Sequence, residues 1–198
     1  MDTRRLTALI LLSLSGLVVA CADSSMHGSG VPAKSAESGS ASSFVAASPA
    51  FADGATIPTE YAMPAAGGRN VSVPLDWKRP PAGTRSFALE VVDLNPVAHS
   101  WVHWLVVDIP SDASGVSAGA SGRSMPHGAR ELKNGFGRIG WGGPQPPAGT
   151  GPHAYRFTVL ALGTPRLDVP IDVPLERFQQ DAAPHVLGSA SFVGTLER

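Results

Sequence analysis

Trp104-Leu105-Val106-Val107-Asp108-Ile109, closed by Pro110, is the stretch on which the fold turns. It is short, almost wholly apolar and rich in β-branched side chains, the signature of a buried strand rather than an amphipathic helix. The same signal recurs on either side. Phe87–Asp93 follows a turn, Tyr155–Leu162 alternates and then meets Gly163, and Ser191–Glu197 ends the chain. The pentapeptide Pro-Pro-Ala-Gly-Thr occurs at 80–84 and again at 146–150, each time a few residues before a strand. Proline presets φ and glycine permits φ > 0, so both copies read as turns entering strands. One helix is expected, Leu175–Ala182, with Asp172 as its cap and Pro184 as its stop. Strand alternation sets Trp101 opposite Val102, and Trp104 opposite His103. The prediction is a mostly antiparallel β-sandwich with minor helix.

Composition agrees. Gly (22) and Pro (18) make a fifth of the 198 residues, which suits short strands joined by turns better than a helical bundle. Fifteen Lys and Arg against sixteen Asp and Glu leave a formal net charge of −1, without a basic cluster for nucleic acid. A single cysteine excludes an intramolecular disulfide and a multi-cysteine zinc site.

That cysteine closes an address. Two arginines in Met1–Arg5 precede the apolar run Leu6–Ala20, and Cys21 follows at once. Fifteen residues rise about 22 Å as a helix, short of the roughly 30 Å of a hydrocarbon core. The layout is that of an export signal, and Val18-Val19-Ala20-Cys21 resembles the bacterial lipoprotein box, which implies a lipid on Cys21. The expected organisation is therefore a signal peptide over residues 1–20, lipidated Cys21 with a disordered linker over 21–43, and one domain over 44–198. Residues 22–43 hold eight serines and three glycines, too little apolar surface to offset ordering entropy. As a coil the linker would span roughly 25 Å. The protein is expected on the outer face of a bacterial cell membrane or in the envelope, touching membrane through its lipid alone.

Within the domain, several stretches in order resemble the phosphatidylethanolamine-binding protein family, which includes Raf kinase inhibitor protein, in its bacterial branch. They begin with Phe51-Ala52-Asp53-Gly54 and Ile57-Pro58, then Asn70-Val71-Ser72-Val73-Pro74-Leu75-Asp76-Trp77, similar to N-x-S-P-x-L-x-W. Asp93 heads the place of the family's D-P-D-A-P loop. Trp101-Val102-His103-Trp104 is similar to W-x-H-W, and Asp108-Ile109-Pro110 to N-I-P. Asn134-Gly135-Phe136-Gly137 is similar to N-D-F-G. Gly143-Pro144-Gln145-Pro146-Pro147 and Gly151-Pro152-His153-Ala154-Tyr155 are similar to G-P-x-P-P and G-x-H-R-Y. Departures accompany the match: Asn95 replaces the loop's second Asp, Ala154 the Arg after the pocket His, Gly135 the Asp of N-D-F-G, and Trp141 a common Tyr.

The resemblance implies an antiparallel Greek-key β-sandwich with a few short helices and a small anion-accepting pocket. Carried over residue by residue, the ligand-binding set is Asp93, His103 and His153, with Tyr155, Trp101, Gly143 and Pro144 beside them. Two imidazoles can donate to phosphate or acetate, and a neighbouring carboxylate is expected to raise their proton affinity. His99, His127 and His185 read as surface or cap residues, and Arg130-Glu131-Leu132-Lys133 as a solvated loop.

The expected function is that of a lipid-anchored binding module rather than an enzyme, with no catalytic residue, metal or cofactor. Its expected ligand is a small anion or phosphate headgroup. The family resemblance adds a protein partner that the module modulates or inhibits, and a homodimer. No G-x-S-x-G elbow or Walker loop is present. The alternative is a metal-dependent hydrolase built on the His/His/Asp cluster.

Overall fold

The computed structural model describes residues 43–198; the expected signal peptide, Cys21 and all but the last residue of the linker lie outside them. Among the described residues, eight strands form two antiparallel sheets. Strands β1 (Val45–Ala47), β2 (Leu75–Lys78) and β5 (Gly115–Val116) make a small sheet in the order β1-β2-β5. Strands β3 (Ser86–Asp93), β4 (Val102–Pro110), β6 (Arg130–Glu131), β7 (His153–Leu162) and β8 (Val186–Leu196) make the large one, in the order β6-β4-β3-β7-β8. Every pairing within the two sheets is antiparallel.

The central strand β3 is buried along its whole length, because both faces of the large sheet are covered. Its Phe87, Leu89 and Val91 face the small sheet, where they meet Trp77, Trp104, Tyr155 and Phe157. Phe157 stacks on Phe192 at 4.9 Å and 8°, filling the inter-sheet layer with one continuous aromatic contact. On the other face Ala88 joins Leu105, Val107 and Leu162 under α1 (Leu175–Ala182), the one α-helix among the described residues. That helix presents Phe178 and Ala182 inward, at the spacing of one helical face. Pro184 follows in a short 3₁₀ turn.

Two sequence expectations fail here. Asp172 does not cap α1: the residue before the helix is Pro174, no side chain caps it, and Asp172 lies 4.0 Å from Lys133. Proline at that position presets the extended φ the chain needs to enter the helix. The stretch Arg130–Lys133 is not a solvated loop. Arg130 and Glu131 pair with Val107 and Val106, and Leu132 is buried. The Arg130 guanidinium donates to Asp108 at 2.6 Å, and Glu131 accepts from Trp104 Nε1 and from the Gly122 amide. Short strands with charged side chains carry no period for a sequence reading to detect; the partners that desolvate them come from elsewhere in the chain.

Candidate functional site

The site is built at one end of the large sheet, where β3, β4 and β7 deliver Asp93, His103 and His153. Asp93 ends β3, and His153 begins β7 two positions before Tyr155, its cross-strand partner. His103 arrives differently. Val91 pairs with Trp104 and Val92 with Val102, so one step along β3 faces two along β4. This is a β-bulge centred on His103. It breaks the alternation, so His103 and Trp104 point to the same side of the sheet, not to opposite sides as the sequence implied. Trp104 packs on Trp141 at 5.7 Å between centroids, and His103 lies 6.5 Å from the same ring and 5.1 Å from Tyr155.

Above these residues is a cavity of about 540 Å³. Asp93, His103 and His153 line its polar end; Val97, Trp101, Phe136, Pro146 and Pro147 make apolar walls. Of the residues expected to bind ligand, Tyr155, Gly143 and Pro144 do not line it. Tyr155 lies one layer behind, stacked on His153 at 25°. Gly143 and Pro144 act through the backbone: the Gly143 amide donates to Asn70 Oδ1 at 2.7 Å, and the Pro144 carbonyl accepts from Met63. A Cβ on Gly143 would run into the Tyr61 and Ala62 backbone, so only glycine lets these segments approach.

His99, expected at the surface or as a cap, is both exposed and part of the pocket lining. It closes the 3₁₀ turn Pro96–Ala98 at φ +48°, and Ser100 follows at +58°. Asn95 starts that turn by accepting from the Val97 amide, while Asp93 Oδ1 accepts from the Asn95 amide at 2.9 Å. The aspartate-to-asparagine departure thus sits in a working turn cap. Gly135 has a comparable reason. A Cβ there would lie 2.5 Å from the Trp101 ring, which packs edge-on against Phe136. Phe136, Gln145 and the two prolines were in motifs quoted from the sequence, yet only the folded loops show that they form walls.

Protonation also departs from expectation. His103 Nδ1 donates to the Gly142 carbonyl at 2.6 Å. Burial pushes its imidazole below the ordinary 6.5, outweighing the Gly142 carbonyl and the Asp93 carboxylate, which act the other way. The neighbouring carboxylate therefore does not raise its proton affinity overall; desolvation wins. Such a group is neutral in the folded state where the unfolded chain is already taking up protons. Its contribution is intact above about pH 6.5 and stability falls as pH drops below it. Relative to a His103→Asn variant, which keeps a donor for Gly142, unfolding free energy should fall by up to about 1.4 kcal/mol per pH unit as pH drops below about 6.5. Denaturant titrations of both proteins measure it; parallel pH profiles would refute it.

His153 has no solvent exposure, and both ring nitrogens are engaged: Nδ1 with Asp93 Oδ2 at 2.6 Å and Nε2 with Thr150 Oγ1 at 2.9 Å. The Tyr155 hydroxyl is buried near the Asp93 carboxylate, without a hydrogen bond of ordinary geometry among the described residues. Burial raises its pKa, and the adjacent Asp93 carboxylate adds to the effect, so it remains a phenol with a hydrogen to donate. Among the described residues no three His, Cys, Asp or Glu side chains form a metal-holding group. A His/His/Asp ligand set would need an imidazole nitrogen that His153 spends on its neighbours.

Residues 47–197 match the model of the phosphatidylethanolamine-binding protein family. A Mycobacterium tuberculosis protein carrying the name "Putative lipoprotein LppC" is 42% identical over 151 residues, covering 76% of this chain and 71% of its own. A UPF0098 protein of Methanothermobacter thermautotrophicus is 34% identical over 151 residues, 75% of this chain and 95% of its own. Escherichia coli YbcL, whose structure is described as that of a new member of the mammalian PEBP family, superposes with a TM-score of 0.73 at 31% identity. The match covers 78% of this chain and 98% of that one.

Proposed function

The chain belongs to the phosphatidylethanolamine-binding protein family, and from that premise we propose that its domain is a binding module for a small ligand with an oxyanion end, such as a phosphate headgroup. The observation that carries this reading is the cavity itself, where Asp93, His103 and His153 form one polar end against mostly apolar walls. Among the described residues the His103 ring is hydrogen-bonded only through Nδ1, which leaves Nε2 to a ligand. The apolar walls favour a ligand whose oxyanion carries a carbon-bearing group over a bare ion. Titration calorimetry with inorganic phosphate, acetate and phosphoethanolamine, on the native protein and on His103→Asn, tests it. Binding that survives the substitution unchanged overturns the assignment.

We further propose that the module is anchored to an envelope membrane through a lipid on Cys21. The lipoprotein-like Val-Val-Ala-Cys sequence supports this, as does the name of the Mycobacterium tuberculosis relative. A Cys21→Ser chain should move to the soluble fraction after export; retention on the membrane counts against the anchor.

A further inference from the structure

The two Pro-Pro-Ala-Gly-Thr copies fold into the same turn. In each, the threonine hydroxyl donates to the carbonyl of the second proline at 2.7 Å, Thr84 to Pro81 and Thr150 to Pro147. In each, the threonine amide reaches the same carbonyl, at 3.3 and 3.4 Å, and the glycine is left-handed, at φ +85° and +79°. Closing this turn therefore uses the hydroxyl hydrogen. The residue three positions later differs: Phe87 after the first copy, His153 after the second.

That difference makes a structural turn into part of the pocket. Thr150 Oγ1 lies 2.9 Å from His153 Nε2, and an oxygen whose only hydrogen is already donated can only accept. Nε2 must then carry the hydrogen. On the far side of the ring, Nδ1 stands 2.6 Å from Asp93 Oδ2, a separation that calls for a hydrogen between them.

We propose that Thr150 is a positioning residue: it holds His153 in the Nε2–H form and so makes Nδ1 and Asp93 Oδ2 share one proton. The inference rests on the pocket reading above and adds its charge state. With that proton shared, Asp93 does not face the cavity as an uncompensated negative charge, and an oxyanion can lie beside it. Without the Thr150 acceptor, the ring has no reason to keep Nε2–H. It can then satisfy Asp93 by Nδ1–H alone, as the neutral tautomer, leaving one proton fewer in the cluster. The other groups facing the ring are the stacked Tyr155, the buried His103 and, through Asp93, the Asn95 amide; among the described residues the Nε2 partner is Thr150 Oγ1.

Long-range ¹H–¹⁵N spectra of the imidazoles in the ¹⁵N-labelled full chain at neutral pH test it directly. The native protein should show a hydrogen on His153 Nε2; Thr150→Val should lose that signal and Thr150→Ser should restore it. Thr84→Val removes the same hydroxyl from the first copy and should leave the His153 spectrum unchanged. Inorganic phosphate should bind the Thr150→Val protein about tenfold more weakly, with serine restoring affinity. A native His153 lacking hydrogen at Nε2, or a valine variant that keeps it, overturns the proposal. If the spectra change as expected while phosphate binds none of these proteins, the pocket reading fails and the Thr150 assignment stands.

Discussion

Replacing Asp93 with alanine should cost about 3–5 kcal/mol of folding free energy, the range for removing one partner of a buried ion pair. Asp93 is 3% exposed and His153 not at all. The carboxylate has two obligations: Oδ2 to the His153 ring at 2.6 Å and Oδ1 to the Asn95 amide at 2.9 Å. Alanine leaves a buried imidazole nitrogen and a loop amide without partners, and each such orphan is expensive. The loss is local in origin and global in effect, because Asp93 also joins the end of β3 to Trp101 and Ala154 through the adjoining backbone. Chemical denaturation of the native chain, Asp93→Ala, Asp93→Leu, His153→Phe and a His153→Phe/Asp93→Leu double variant measures it. The double variant should be more stable than the sum of single losses implies, since it leaves no half of the pair behind. Additive losses would show that the two side chains are energetically independent and would refute the pairing.

Tyr155→Phe should raise stability and leave binding nearly unchanged. The substitution deletes one fully buried oxygen that lies near the Asp93 carboxylate without a hydrogen bond of ordinary geometry. Folding should gain about 1 kcal/mol, because the ring keeps its packing and the desolvated hydroxyl is gone. Affinity for phosphate or phosphoethanolamine should stay within about twofold, because Tyr155 does not line the cavity. Thermal melts and calorimetry on the same pair of proteins read both. A loss of stability would mean that the hydroxyl is bonded to Asp93 in solution and would refute the prediction.

Local chemistry made much of this protein legible from its residues. The bounds of α1 at Leu175–Ala182 follow from a one-sided apolar face and a flanking proline. The four long strands of the large sheet follow from β-branched runs between turns. The family is legible because its motifs are short runs of residues close together in the chain, some in loops and some at strand ends.

Tertiary structure decided the rest, because the deciding partner was distant in sequence. A bulge is a mismatch between two strands, so nothing in Val102–Trp104 alone could announce that His103 shares a face with Trp104. The lowered proton affinity of His103 depends on how completely other segments bury it, a sum no local pattern records. Glu131 looks solvated until the Trp104 indole and the Gly122 amide approach it across the fold. His153 reads as a free donor until Thr150 and Asp93, three and sixty residues away, occupy both its nitrogens. The sequence by itself determined which elements form and which residues could do chemistry. Which atoms remain free to meet a ligand was decided only when the sheets closed, because hydrogen bonds and desolvation are settled by neighbours in space.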